Sequence, residues 1–156
     1  MDETPVGEFE IQDIRSCLRQ SSGSCVIAPE GRILIIDDCE VNLFVMASLL
    51  KQNKVQTTLV QTGAEGMEYL RKESYDIVFF NDNMSNMKEG ELWEKIQEEH
   101  LRYRARFIAL TVYSREADRR RTGYDDCLLK PIRPNSLEQM LQKHLPKEIQ
   151  RETGGE

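Results

Sequence analysis

Short polar clusters follow several apolar runs of the chain, and their residue types suit phosphoryl or metal chemistry. Asp37 and Asp38 come directly after the run ILII, Thr111 ends the run FIALT, and Lys130 follows the run CLL. Carboxylates bind Mg²⁺, a hydroxyl and an ammonium group hold phosphoryl oxygens, and a carboxylate can itself be phosphorylated. Brought together, these side chains would form a divalent-metal and phosphoryl site.

The stretch YDIVFFNDNMSNMKEG, residues 75–90, decides what such a site could do. Its apolar run ends at Asn81, and Asp82 stands immediately behind. Side chains alternate along a strand, so only one of the two faces the same side as the other polar groups. Asp82 could accept a phosphoryl group, whereas the amide of Asn81 offers no nucleophilic carboxylate. The residues alone leave both registers open.

Alternating strands and helices must position these side chains. Short apolar runs predict five strands, and apolar residues at helical spacing predict a helix after each strand. Thr62 and Glu65 match a capping box, and Pro134 with Asn135 announces the last helix. The predicted strands cover 33–36, 55–60, 77–80, 107–111 and 127–129; the predicted helices cover 41–50, the segment after Thr62, the segment around Leu92, 114–122, and the segment from Pro134.

This alternation predicts an α/β fold in which helices cover both faces of a doubly wound parallel sheet. Ligand sites in such sheets form at the carboxyl ends of the strands. The acids, the hydroxyl and the lysine all stand at predicted carboxyl ends. We therefore expect them to converge on one edge of the sheet.

Composition limits the class of protein. A chain of 156 residues suits one domain, and a formal net charge of −6 disfavours nucleic acid as a partner. The four cysteines lack the spacing of a zinc site or a disulfide framework. No apolar run reaches the roughly 20 residues that span a bilayer. We expect reduced thiols, a cytoplasmic location and no membrane contact by this segment.

Turn signals divide the chain into three parts. Residues 1–31 contain SSGS and APEG and are predicted to be a leader or linker, in which the spacing of apolar residues over 8–20 suits a short amphipathic helix. The strands and helices occupy 32–146. The polar remainder, 147–156, is predicted to be a flexible tail.

The pieces ILIIDDCEVN, YDIVFF, IALT and DDCLLKPI occur in this order, and together they resemble the receiver domain of two-component response regulators over about residues 32–145. The resemblance implies a flavodoxin-like (βα)5 fold with strand order 2-1-3-4-5. It implies that Asp37 and Asp38 surround Mg²⁺, that Thr111 senses the phosphoryl group, and that Lys130 is its counter-ion before a cis proline. It also implies an Asp at the end of the third strand that takes phosphate from a histidine kinase.

At that acceptor position the chain departs from the family. The YD pair before the strand and the two methionines after it align Asn81 with the acceptor, whereas Gly90 alone favours Asp82. Two of these three sequence matches favour Asn81, and a one-residue insertion in the loop then accounts for the position of Gly90. Asp82 remains the alternative acceptor.

Further departures point to altered signalling. Ser85 replaces a loop proline, Lys88 and Glu89 replace an Asp-Gly pair, Val112 stands where a small residue is usual, and Cys127 replaces a switching Tyr or Phe. We therefore expect a pseudo-receiver that is not itself catalytic. Because one anionic ligand is lost, Mg²⁺ binding through Asp37 and Asp38 should be weak or absent.

The resemblance also implies partners. The leader and the end of the chain resemble those around the carboxyl-terminal receiver of bacterial hybrid histidine kinases, which would place the domain in the cytoplasmic part of a sensor kinase. The helix after the first strand would meet a histidine kinase or phosphotransfer domain. The face formed by the fourth predicted helix, the fifth strand and the fifth helix would mediate a homodimer.

Overall fold

A five-stranded parallel sheet lies at the centre of the structure, a computed structural model that describes residues 25–102, 104–112 and 123–152. In chain order the elements are β1 (Val26–Ile27), β2 (Arg32–Ile36), α1 (Glu40–Leu50), β3 (Gln56–Val60), α2 (Gly63–Lys72), β4 (Ile77–Asn81), α3 (Glu91–Glu98), β5 (Arg106–Thr111), β6 (Asp126–Leu129), α4 (Pro134–His144) and β7 (Arg151–Glu152), with 3₁₀ turns at Lys51–Asn53 and Lys147–Ile149.

The central sheet has the order β3-β2-β4-β5-β6, and all of its neighbouring strands pair in parallel. Counted within this sheet, the order is 2-1-3-4-5, which confirms the predicted fold. Each strand begins and ends within one residue of the predicted limits. The predicted helix at 114–122 lies outside the described residues.

Two hydrophobic clusters cover the two faces of this sheet. Because side chains alternate along a strand, Ile35 and Phe79 point to the face covered by α1 and α4, and Ile36 and Phe80 point to the face covered by α2 and α3. β4 is buried along its whole length. This double burial explains why the strands read as continuous apolar runs rather than as alternating ones.

The start of α2 shows how local sequence fixes a helix. The Glu65 N–H donates to Oγ1 of Thr62 at 3.1 Å, as the capping box predicts. Gly66 then lets the helix approach β2 closely, because a Cβ at this position would lie 2.5 Å from Cδ1 of Ile36.

A second, two-stranded sheet joins the two ends of the described chain. β1 and β7 pair antiparallel. The buried Asn53 donates to the Val26 carbonyl at 2.6 Å and to Oε1 of Glu138 at 3.0 Å, and the Val26 N–H donates to Oε2 of Glu138 at 2.7 Å. We call these three residues the terminal clamp.

The structure describes part of the segments that the sequence predicts to be a linker up to residue 31 and a flexible tail from residue 147, and residues of both segments pack on the domain. Val26 and Ala28 are buried, and Ile149 packs against the same cluster as α1 and α4. Burial of these apolar side chains stabilises two segments whose overall composition is polar. The predicted helix at 8–20 lies outside the described residues. Within the described ranges, no helix has the length and apolar character needed to cross a membrane.

Candidate functional site

Four strands bring polar side chains to the carboxyl edge of the central sheet. Asp37 follows β2, Asn81 ends β4, Thr111 ends β5 and Lys130 follows β6. These strands are neighbours in the sheet, so their ends lie side by side. The Lys130 N–H donates to the Thr111 carbonyl at 2.8 Å, which continues the β5–β6 pairing up to this edge.

The register of β2 and β4 determines which residue of the pair 81–82 faces the acids. Ile36 lies opposite Phe80, so the next pair in this register is Asp37 and Asn81. Nδ2 of Asn81 donates to Oδ1 of Asp37 at 3.1 Å and to Oδ1 of Asp38 at 3.3 Å. In this structure, the amide of Asn81 therefore contacts both acids.

A third hydrogen bond fixes the orientation of this amide. The Asn83 N–H donates to Oδ1 of Asn81 at 2.9 Å. A flipped amide would place its NH₂ group against that N–H and its oxygen against two carboxylates. The hydrogen bonds thus define which end of the side chain faces Asp37 and Asp38.

Asp37 is the most enclosed group of the site. Its side chain is fully buried, and it accepts hydrogen bonds from the Cys39 N–H and from Nδ2 of Asn42, both at 3.0 Å. Nζ of Lys130 lies 3.6 Å from Oδ2 of Asp37. A buried carboxylate needs such donors and a counter-ion, because burial without them penalises the charged form.

Asp38 connects the end of β2 to the loop after β4. Its Oδ2 accepts the Ser85 N–H at 2.7 Å. Partial burial raises the pKa of Asp38, but hydrogen bonds from the Ser85 hydroxyl, the Ser85 N–H and the Asn81 amide outweigh this effect and hold that pKa below its ordinary value. Asp38 is therefore an ionised acceptor at neutral pH.

The remaining predicted residues lie around this centre. Asp82 is 8% exposed; its N–H donates to the Leu110 carbonyl at 3.5 Å, and its carbonyl accepts the Gly90 N–H at 3.1 Å. Val112 is 62% exposed, whereas Cys127 is half-buried and packs against the hydrophobic cluster under α2 and α3. The peptide bond between Lys130 and Pro131 is cis, as the resemblance implies.

Comparison with known families decides the assignment. A model of the response regulator receiver domain matches residues 33–142, which is more than half of the chain. The chain belongs to this family.

Several curated relatives of this receiver are sensor kinases. It is 26% identical over 135 residues to the sensor histidine kinase RcsC of Salmonella typhi, covering 86% of this chain and 14% of the relative. It is 27% identical over 132 residues to the sensor protein GacS of Pseudomonas syringae, covering 81% of this chain and 15% of that relative. The receiver thus spans about a seventh of the length of these relatives.

Solved receivers share its fold. The receiver domain of the sensor histidine kinase PA1611 from Pseudomonas aeruginosa, which has a magnesium ion coordinated in its active site cleft, is 25% identical with a TM-score of 0.64; the match covers 74% of this chain and 98% of that one. The receiver domain of Ssk1, in complex with the phosphotransfer protein Ypd1 of Saccharomyces cerevisiae, is 18% identical with a TM-score of 0.69, covering 79% and 94%.

Because the PA1611 receiver holds a magnesium ion, the question is whether the residues of the present site could also bind Mg²⁺. Mg²⁺ needs oxygen lone pairs in octahedral positions. Here the amide hydrogens of Asn81 point between Asp37 and Asp38, and the Ser85 N–H occupies the other oxygen of Asp38. Among the described residues, no group of three or more His, Cys, Asp or Glu side chains could hold a metal. This arrangement does not fit a magnesium ion between the two carboxylates.

Two donors of the site are not among the residues that the sequence pattern predicts. Asn42 stands in the first turn of the helix after the acid pair, and a polar residue there is a signal that could identify it. Ser85 appears in the pattern only as a replaced proline, and its donor is a backbone N–H, which a residue pattern does not show. The structure joins Asp37, Asp38, Asn81 and Lys130 by direct side-chain contacts.

Proposed function

We propose that this receiver domain is a two-component signalling module without a phosphoacceptor carboxylate, which acts through protein contacts and is not itself catalytic. The observation that carries the proposal is the Asn81 amide, which donates to both Asp37 and Asp38. An amide side chain cannot form the acyl phosphate that a carboxylate forms. Phosphoryl transfer to this position is therefore blocked.

Electrostatics supports the same proposal. Three carboxylates within about 4 Å repel by roughly 4 kcal/mol per pair at an effective dielectric constant near 20, so a cation is needed to hold them together. Asn81 replaces one of these charges with a donor, and Lys130 stands 3.6 Å from Asp37. We therefore expect the site to hold its arrangement without a metal ion, and Mg²⁺ to bind weakly or not at all.

A second candidate is a working receiver that is phosphorylated on Asp82. Gly90 is the residue whose position in the sequence favours Asp82 as the acceptor, and its N–H donates to the Asp82 carbonyl. Phosphorylation at Asp82 would require the end of β4 to turn, because Asn81 is the side chain that bonds to Asp37. Asn81 would then lose its hydrogen bonds to both carboxylates.

The family and the exposed side chains of α1 support a proposal about partners. We propose that the domain belongs to a cytoplasmic hybrid histidine kinase chain and that α1 contacts a histidine kinase or phosphotransfer domain. Val41 and Phe44 on this helix are exposed apolar side chains, whereas Leu43 and Met46 are buried. A homodimer through the helix predicted at 114–122, β6 and α4 is part of the same proposal, and nucleic acid is not an expected partner.

The decisive experiment is labelling with a small-molecule phosphodonor. The native protein is incubated with acetyl phosphate and Mg²⁺ and analysed by intact-protein mass spectrometry, and with beryllofluoride by NMR. We expect no adduct on the native protein. We expect a partial adduct on Asn81→Asp, because that change restores a carboxylate next to Asp37, Asp38 and Lys130.

Asp82→Asn is the matched control. A stoichiometric adduct on the native protein that disappears in Asp82→Asn would overturn the proposal and establish the second candidate. An Asn81→Asp variant that folds but takes no adduct would show that more than the acceptor is missing, and exposed Val112 would be the first residue to replace.

A further inference from the structure

We infer that Asp38 anchors the 82–90 loop through protein donors, so that the loop holds one position without a metal ion. The inference rests on the proposed function in taking Asn81 as the pocket residue. In this inference Asp38 and Ser85 are positioning residues, which act through the loop rather than on a phosphoryl group.

The bond between Ser85 and Asp38 is the tie between the loop and β2. Its length of 2.7 Å is shorter than those of the other donors to Asp37 and Asp38, and it joins residues 47 positions apart in the chain. Bonds from N–H groups to an ionised carboxylate are short and about twice as strong as bonds between neutral groups. Hydrogen bonding by Ser85 also helps to hold the pKa of Asp38 below its ordinary value.

Asn81 completes the set from the strand side. Its amide donates to Oδ1 of Asp38, while Ser85 donates to Oδ2. Both oxygens of Asp38 are therefore engaged by donors from β4 and from the loop that follows it. These donors occupy the directions that a cation bridging Asp37 and Asp38 would need.

Other contacts hold the loop against the body of the domain. Met84 is buried in the cluster under α2 and α3, and Met87 packs closely on Gly63, where a Cβ would lie 2.8 Å from its sulfur. The Gly90 N–H closes the loop on the Asp82 carbonyl. The Ser85 bond adds the link to β2, so the exposed residues of the loop form one constant surface next to the site.

Amide hydrogen exchange measured by NMR tests this inference on the native chain. We expect the Ser85 amide to exchange slowly, with a rate and chemical shift that millimolar Mg²⁺ and EDTA leave unchanged. Asp38→Ala should speed Ser85 exchange about tenfold or more, because the amide loses its charged acceptor. Glu40→Ala is the matched control, since it removes a negative charge from the same edge and keeps the Asp38–Ser85 bond.

A double-mutant cycle separates the hydrogen bond from backbone strain. Proline lacks an N–H, so Ser85→Pro should speed exchange of the Asn83 and Lys88 amides in the native background and have little further effect in Asp38→Ala. Ser85→Ala keeps the N–H and should have the smaller effect. An equal effect of Ser85→Pro in both backgrounds would overturn the inference.

Two other results would also overturn it: Ser85 exchange that is unchanged in Asp38→Ala, or a Ser85 amide that responds to millimolar Mg²⁺ in the native protein. Failure of the proposed function is a separate outcome. Labelling of Asp82 by acetyl phosphate would refute the blocked acceptor, whereas the exchange rate of the unlabelled protein reports only on the anchor.

Discussion

Both edges of the central sheet carry buried or half-buried carboxylates, but these carboxylates have different hydrogen-bond and ion-pair partners at the two edges. At the amino edge, the Asp125 carboxylate accepts hydrogen bonds from Nη2 of Arg102 at 3.1 Å. Oδ2 of Asp126 lies 3.0 Å from Nζ of Lys143 and 2.9 Å from Nε2 of His144. At the carboxyl edge, side-chain and backbone amides donate to Asp37 and Asp38, and the ion pair between Asp37 and Lys130 is longer at 3.6 Å.

This difference shows that residue type alone does not give a carboxylate its role. Ion pairs and hydrogen bonds at the amino edge connect strands to helices, since Asp126 at the start of β6 pairs with Lys143 and contacts His144 at the end of α4. Neutral donors at the carboxyl edge hold two acids next to each other and connect Asp38 to the loop after β4. We expect substitutions at the amino edge to cost more folding free energy and those at the carboxyl edge to change local order and binding.

The largest effect is expected for Asp126→Asn. The variant should lower the free energy of unfolding by about 2 kcal/mol at pH 7, because buried hydrogen bonds to a charged group are lost. Urea denaturation measures this value. Glu148→Gln is the control, because this exposed side chain should change stability by less than about 0.5 kcal/mol.

The pH dependence sharpens the same comparison. Burial raises the pKa of Asp126, but hydrogen bonds from His144, Lys143 and the Cys127 N–H hold it below the ordinary value. A folded-state pKa below the unfolded value of about 3.9 adds stability above that pH, and this stability is lost as pH falls through the folded-state pKa. The gap between native and Asp126→Asn proteins should therefore shrink below about pH 4. A constant gap from pH 7 to pH 3 would contradict the ion-pair assignment.

The terminal clamp offers an intermediate effect. Asn53→Ala removes donors to the Val26 carbonyl and to Glu138, so we expect a loss of about 1 kcal/mol. Exchange of the amides in β1 and β7 should rise more than exchange in the central sheet. Gln52→Ala next to it is the control. Equal exchange changes in both sheets would show that Asn53 supports the whole core rather than the clamp.

The sequence predicted the parts of this fold that depend on local pattern. Continuous apolar runs identify strands buried on both faces, and strand ends identify Asp37, Asp38, Thr111 and Lys130 as neighbours. The strand register determines whether Asn81 or Asp82 faces the acids: Tyr75-Asp76 and the two methionines favour Asn81 in the sequence, and Gly90 alone favours Asp82. In the paired strands of the central sheet, Asn81 follows the Ile36–Phe80 pair opposite Asp37.

Non-local contacts explain what the sequence did not predict. His144 stands alone in the chain, yet folding places its ring against Asp126, 18 residues away. β1 and β7 pair across more than a hundred residues, and each is only two residues long, so neither gives a strand signal by itself. The Ser85 N–H carries no side-chain signature. Each of these contacts requires the three-dimensional arrangement of distant segments.

The smallest effect on stability, and the most informative on function, is expected at Phe44. This side chain of α1 is 54% exposed, so Phe44→Ser should change the free energy of unfolding by less than about 0.5 kcal/mol. If α1 is the docking face, the same change should weaken binding of a histidine phosphotransfer domain about tenfold or more, because exposed aromatic side chains are frequent anchors of interfaces. Isothermal titration calorimetry measures this affinity.

Tyr69→Ser on α2, whose side chain is 41% exposed, is the matched control on the opposite face and should bind like the native domain. Equal affinities for all three proteins would remove α1 as the docking surface, while equal losses in both variants would indicate a contact that does not distinguish the two faces.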